Sequence, residues 1–157
     1  MTAGPVAELA THPFLAGIPD DQLAAVATVT RPLRLPPGSR VFREGEPAAR
    51  CWLIHTGLVR LDTLVPGRGH VTVETLGAGT VLGWSWLCPP YRWHFGAEAT
   101  ETTHTSEIDG GQLRRLCDDD PDLGYAIMSR FLPVLLDRLQ HTRMRLLDLY
   151  RSPAWTR

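Results

Sequence analysis

Glycine and proline divide the segment Leu33–Ile108 into short apolar runs, with a break about every 8–12 residues. A Pro-Gly turn at 66–69 leads into Val71–Leu76, in which apolar and polar residues alternate. Such punctuation is typical of many short antiparallel strands that form a sandwich or a barrel. We therefore predict a β-barrel over residues 33–108. The glycines stand at positions 38, 45, 57, 67, 69, 77, 79 and 83.

Helical patterns flank this β segment. Residues 1–30 are predicted to be the N-terminal helical segment, with a frayed start over 1–11 and a helix that begins at Asp20 or Asp21. Residues 109–150 are predicted to be the C-terminal helices, because acidic residues precede each helical pattern. The fold class is mainly β with flanking α, and residues 1–157 are predicted to be one domain.

The last helix, predicted from Pro121 to about Tyr150, carries apolar residues at alternating steps of four and three. Such a seam packs on its own domain or pairs with a second copy as a parallel coiled coil. Because Arg138–Leu149 extends beyond what a barrel of this size can cover, we predict a homodimer. Pro133 is expected to kink or split the helix. The predicted dimer interface is Met128, Leu132, Leu135, Leu139, Thr142, Leu146 and Leu149.

Two further sets of residues on this helix are expected to face different surroundings. A second apolar stripe, Ile127, Phe131 and Val134, is expected to face its own barrel. The arginines at positions 138, 143 and 145 are expected to form a solvated flank or to meet acidic residues across the dimer.

The composition argues against several functional classes. With 16 Lys and Arg against 17 Asp and Glu, the net charge is −1, so no basic field favours nucleic acid or an anionic membrane. The sequence contains no Lys, which excludes Schiff-base and P-loop lysine chemistry. No signal peptide or long apolar run is present, so we predict a cytoplasmic location without membrane contact.

The residues that catalysis needs are not grouped in motifs. The six histidines never form an HxH or HxxxH pattern, and no nucleophile elbow is present. Cys51, Cys88 and Cys117 are widely spaced and fit neither a disulfide framework nor a zinc knuckle. We therefore predict that the chain is not an enzyme, with no catalytic residue and no metal site.

The stretch Leu76–Ala99 concentrates the unusual chemistry of the chain. It holds three of the five tryptophans and a single cation, Arg92. A glycine-rich turn thus leads into an aromatic segment built around one guanidinium. Such a segment is either a packed lid or a cradle for a ligand.

Two runs carry a resemblance to a known family. The run VFREGEP, followed by CWLIHTGLVR at 51–60, resembles the F-x-x-G-(x)-Y-x-I-x-x-G-x-V/L pattern of the cyclic nucleotide-binding domain of the cyclic-AMP receptor protein family. The run LGAGTVLG at 76–83 resembles that family's approach to its phosphate-binding cassette. The resemblance implies an eight-stranded jelly roll, an N-terminal helix and a long dimerisation helix.

The cassette departs from the family pattern. In the family a Glu after the last glycine accepts the ribose hydroxyl and an Arg pairs with the cyclic phosphate, whereas Trp84 and Trp93 stand at these positions here. Arg92 lies one residue away from the arginine position. Only residues 151–157 follow the last helix, so no helix-turn-helix and no direct DNA binding are expected. The candidate pocket residues are Gly83, Trp84, Ser85, Trp86, Arg92, Trp93 and His94.

The leading hypothesis is a non-enzymatic regulatory or sensor module with a remodelled pocket that does not take cyclic AMP. One alternative is a protein-interaction and dimerisation subunit whose pocket is filled by its own side chains. Another is a genuine cyclic-nucleotide binder that uses Arg92. We predict no resident cofactor, although Cys88 and His94 leave a haem sensor as a further alternative. The Trp-rich cassette resembles a stand-alone bacterial subgroup associated with redox enzymes, which implies a redox enzyme as a protein partner.

Overall fold

The computed structural model of the chain describes residues 4–151. Two helices precede eight strands, and two helices follow them. The helices are α1 (Pro5–Thr11), α2 (Asp20–Ala27), α3 (Gly110–Asp119) and α4 (Pro121–Arg151). The strands are β1 (Thr30–Leu35), β2 (Arg40–Phe42), β3 (Arg50–Thr56), β4 (Val59–Val65), β5 (Gly69–Leu76), β6 (Val81–Leu82), β7 (Gly96–Ala99) and β8 (Thr103–Asp109). Short 3-10 helices lie at Pro13–Leu15 and Ser85–Leu87.

The strands form two four-stranded antiparallel sheets, ordered β1-β8-β3-β6 and β2-β7-β4-β5. The strand predicted to close the β segment, β8, lies inside its sheet, between β1 and β3. The predicted fold class, antiparallel β of the jelly-roll type with flanking helices, is confirmed.

Two apolar clusters lie on opposite faces of β3. Because successive side chains of a strand point to opposite faces, Cys51 and Leu53 pack towards the helices, whereas Trp52 and Ile54 pack between the sheets. The helix-side cluster joins α1, α2, α3 and α4 to this sheet. The second cluster, between the sheets, contains Trp93 and positions the candidate site.

The N-terminal segment is more ordered than the sequence indicates. The expectation of a frayed start is wrong for residues 5–11, which form α1, and the Leu9 side chain is fully buried in the helix-side cluster. Burial of that one leucine stabilises a helix that is too short to persist alone. Residues 1–3 lie outside the described part of the chain.

The C-terminal helices begin at the predicted acidic residues. The Asp109 side chain accepts a hydrogen bond from the backbone N–H of Gln112 at the start of α3. The Asp120 carboxylate accepts from the backbone N–H groups of Asp122 and Leu123 at the start of α4. Each cap satisfies backbone donors that the first turn of a helix leaves free.

Helix α4 runs unbroken through Pro133, so this proline does not split it. Ile127 and Phe131 are buried against the domain and Val134 packs beside them, as predicted for the second stripe. Arg138 is the last residue of α4 that is not exposed, and residues 139–151 are all exposed. Within residues 4–151, none of the helices combines the length and the apolarity that a membrane crossing requires.

Candidate functional site: an aromatic pocket between the sheets

The site is built around a glycine that allows an indole to lie directly on the backbone. Gly83 has φ +92°, a conformation that L-residues rarely adopt. A Cβ atom at this position would lie 2.9 Å from Cη2 of Trp93 and 3.3 Å from the carbonyl oxygen of Arg50. The absence of a side chain at Gly83 therefore allows both the turn and the close approach of the Trp93 ring.

Trp93 is packed in a stack of three aromatic rings. Its ring centroid lies 3.8 Å from that of Phe42, with an angle of 12° between the planes, and 5.9 Å from that of Trp52. Only 6% of Trp93 is exposed. Such contacts add to the burial energy of each ring, so the stack stabilises the core between the sheets.

Little space remains beside this stack. The cavity there has a volume of about 10 Å³. Five of the candidate pocket residues, Gly83, Trp84, Ser85, Trp93 and His94, line it. The other lining residues are Phe42, Leu61, Leu82, Phe95 and Arg138. The rings thus fill most of the space between the sheets at this point.

Trp84 forms the outer wall of the site and is held by a cation from α4. The guanidinium carbon of Arg138 lies 4.1 Å from the centroid of the Trp84 ring, and Arg138 Nε lies 3.5 Å from Oε2 of Glu74. Arg138 Nη2 also donates a hydrogen bond of 3.3 Å to the carbonyl of Val81. Burial lowers the pKa of Arg138 to about 10, so the side chain remains a cation at neutral pH. The expected solvated flank is therefore wrong for Arg138, but Arg143 and Arg145 are exposed.

Trp86 and Arg92 lie away from this cavity. Trp86 is 1% exposed and packs edge-on against Phe131 of α4 in the helix-side cluster. Arg92 is exposed, and its Nη1 donates a hydrogen bond of 2.9 Å to the carbonyl of Gly45. The structure thus brings together five of the seven candidate pocket residues and separates these two from them.

Glu107 is a structural part of the site that the sequence analysis did not single out. This buried carboxylate accepts a hydrogen bond of 2.9 Å from Nε1 of Trp52, the second indole of the stack. It also accepts from Nε of Arg31 at 2.7 Å. Trp52 and Glu107 face each other across the β3–β8 pair, so the strand register could have indicated the contact.

The residues proposed for haem do not surround a suitable space. Cys88 and His94 are both exposed, and the cavity that His94 lines is far too small for a macrocycle. Within residues 4–151, no group of three or more His, Cys, Asp and Glu side chains is placed to hold a metal ion.

The predicted dimer seam lies on the outward face of α4. Five of its members, Met128, Leu132, Leu139, Leu146 and Leu149, are each at least half exposed in the single chain. Leu135 is half-buried, and the exposed Thr142 donates its hydroxyl to the carbonyl of Arg138. The seam is thus an apolar surface that the domain itself does not cover.

Comparison with known proteins agrees with this fold. The family model for the cyclic nucleotide-binding domain matches residues 32–120, which is more than half of the chain. The chain belongs to the cyclic nucleotide-binding domain family. The fold and the family model therefore place the chain in a family of regulatory domains.

Individual relatives support the assignment. The chain is 27% identical over 141 residues to a CRP-like cAMP-activated global transcriptional regulator of Mycobacterium tuberculosis. The aligned region covers 90% of this chain and 61% of the relative. The chain thus spans about three fifths of that relative's length. A cyclic nucleotide-binding domain from Methylobacillus flagellatus has a TM-score of 0.81 at 20% identity, covering 92% of this chain and 85% of that one. The Thermus thermophilus catabolite activator protein has a TM-score of 0.70 at 22% identity, covering 88% and 63%.

Proposed function

We propose that the chain is a non-enzymatic regulatory module of this family whose pocket between the sheets is filled by its own side chains. The observation that carries the proposal is the position of Trp93, which leaves about 10 Å³ beside the stack. Pockets that bind small molecules commonly measure about 300–1,000 Å³. The module would therefore exert its effect through protein contacts rather than through a nucleotide held here.

The chemistry of the lining supports the same conclusion. A buried cyclic phosphate needs a cation or several backbone donors to offset its desolvation. Among the residues that line the cavity, Arg138 is the only Arg, and it already contacts Glu74 and Trp84. The guanidinium of Arg92 is bonded to Gly45 and does not line the cavity. The relative from M. tuberculosis is named as cAMP-activated, and we propose that this chain differs from it at the activation step.

Titration with cyclic nucleotides tests this proposal directly. We expect isothermal titration calorimetry with cyclic AMP and cyclic GMP to give no binding tighter than about 1 mM, because the pocket between the sheets has neither the space for a nucleotide nor an unpaired cation. The Arg92→Ala variant tests the alternative in which the chain binds a cyclic nucleotide through Arg92. Micromolar binding to the unaltered chain that is lost in Arg92→Ala would overturn the proposal and establish Arg92 as the phosphate ligand.

We further propose that the chain acts as a homodimer through α4. Beyond Arg138, residues 139–151 are exposed, and an isolated helical extension of this length is only marginally stable in water. Pairing of the seam with a second copy would bury its leucines and stabilise the extension. The prediction of a redox enzyme as protein partner rests only on the resemblance of the Trp-rich cassette to a bacterial subgroup associated with such enzymes.

The dimer is tested by a pair of matched double substitutions. We expect equilibrium sedimentation of the unaltered chain to give a dimer at tens of micromolar, and Leu139→Asp/Leu146→Asp to give a monomer because two charges enter the seam. The control is Leu136→Asp/Leu147→Asp, since these leucines are as exposed but lie off the seam. A monomeric unaltered chain would contradict the proposal, as would equal effects of the two double variants.

A further inference from the structure

A second cavity, separate from the aromatic pocket, lies between the loop 84–92, α3 and the first turns of α4. Its volume is about 560 Å³, and it shares no lining residue with the pocket between the sheets. This volume is within the range of about 300–1,000 Å³ that is common for small-molecule sites. We propose that this cavity binds a small carboxylic acid with an apolar body, such as an aromatic acid.

Two arginines of α3 give the cavity its positive charge. Arg114 and Arg115 both line it, and neither has an acidic side chain within 4.0 Å among the residues that the structure describes. Arg114 is held in place on two sides. Its Nη1 donates to the carbonyl of Trp86, and its guanidinium carbon lies 4.2 Å from the centroid of the Tyr91 ring. A guanidinium fixed in this way loses little freedom when it binds a carboxylate.

One residue that lines the cavity also carries a buried donor without an acceptor. Trp86, which lines it, is 1% exposed, and its indole Nε1 has no hydrogen-bond partner within residues 4–151. A buried donor left unsatisfied costs about 1–3 kcal/mol. Because this nitrogen is itself covered, the two arginines alone define the charged end of the site. Since both arginine side chains are cationic donors, the complementary ligand group is an acceptor with negative charge.

The remaining walls determine the rest of the ligand. Leu87, Ile127 and Met128 are apolar, and a thioether makes favourable contacts with an aromatic ring. Asp118 also lines the cavity and disfavours a ligand with several negative charges, such as a phosphate ester. A single carboxylate on an apolar ring is complementary to the two arginines and to these walls together. Met128 belongs to the predicted dimer seam, so one rim of the cavity lies beside the proposed interface.

Indole resonances provide a direct measurement on the full chain. We would label tryptophan with ¹⁵N, assign the Trp86 indole signal from its loss in Trp86→Phe, and titrate with benzoate. We expect a saturable shift of the Trp86 signal with a Kd below about 1 mM. Benzyl alcohol lacks the charge, and acetate and inorganic phosphate lack the ring. Each of these three is expected to bind at least about tenfold more weakly.

Two arginine variants and one matched control complete the test. Arg114→Gln is expected to weaken benzoate binding by about tenfold or more, and Arg115→Gln by several-fold. Arg34→Gln, an exposed arginine on β1, should leave the affinity unchanged. If Arg114→Gln does not fold, the comparison of Arg115→Gln with Arg34→Gln decides. Binding that is equal for phosphate and benzoate, absent at 1 mM benzoate, or unaltered in the arginine variants would overturn the proposal.

Discussion

Replacement of Trp93 by alanine is expected to lower the free energy of unfolding by about 3–5 kcal/mol, the usual cost of removing a buried aromatic ring. The effect should be large because Trp93 is 6% exposed and is stacked 3.8 Å from Phe42. For a chain of this size, about 1 kcal/mol corresponds to 2–4 °C in the melting temperature. Thermal unfolding followed by circular dichroism would measure the change.

The vacated space provides a second and independent readout. Apolar cavities of this kind bind small aromatic molecules, so indole is expected to raise the melting temperature of Trp93→Ala and not that of the unaltered chain. Trp84→Ala is the matched control, because Trp84 is only half-buried and lies at the outer wall of the site, outside the stack of Phe42, Trp52 and Trp93. If Trp93→Ala costs no more than Trp84→Ala, Trp93 does not fill the pocket, and the proposed function loses its main support.

The sequence was sufficient to predict the fold class, but not the surroundings of Trp93. Glycine spacing predicts short antiparallel strands because turn chemistry is local, and the runs at 41–60 and 76–83 imply the jelly roll through their resemblance to the family. The position of Trp93 follows from the resemblance to the family. Its partners Phe42 and Trp52 come from strands far away in the sequence, so no local pattern could reveal the stack.

Trp84 and Trp86, both candidate pocket residues of the aromatic segment, face different surroundings. Trp84 and Trp86 would share a face in a strand, which has a period of two. They lie instead at the start of the 3-10 helix Ser85–Leu87, in which a step of two residues turns the side chain to another side. Trp86 therefore packs against α4, and Trp84 faces the aromatic pocket.

Arg138 could not be identified from the helical pattern either, and its replacement is the second change for which we expect a large effect. Arg138→Ala should lower the free energy of unfolding by about 2 kcal/mol, since it removes a stacked cation and a charged hydrogen-bond donor. Glu74 is partly exposed, so solvent would compensate in part for its lost partner. Urea unfolding measures the change, and Arg143→Ala, exposed on the same helix, should stay within about 0.5 kcal/mol.

A double-mutant cycle with Trp84→Ala would separate the stack from the other contacts of Arg138. We expect a coupling energy of about 0.5–2 kcal/mol between the two side chains, because the guanidinium carbon of Arg138 lies 4.1 Å from the centroid of the Trp84 ring. Strictly additive effects would mean that Arg138 holds α4 through Glu74 and Val81 alone. A measured coupling would have a consequence for regulation, because Arg138 is the last residue of α4 that is not exposed. Any change in the position of Trp84 would then alter the attachment of the helix segment through which we propose that two chains pair.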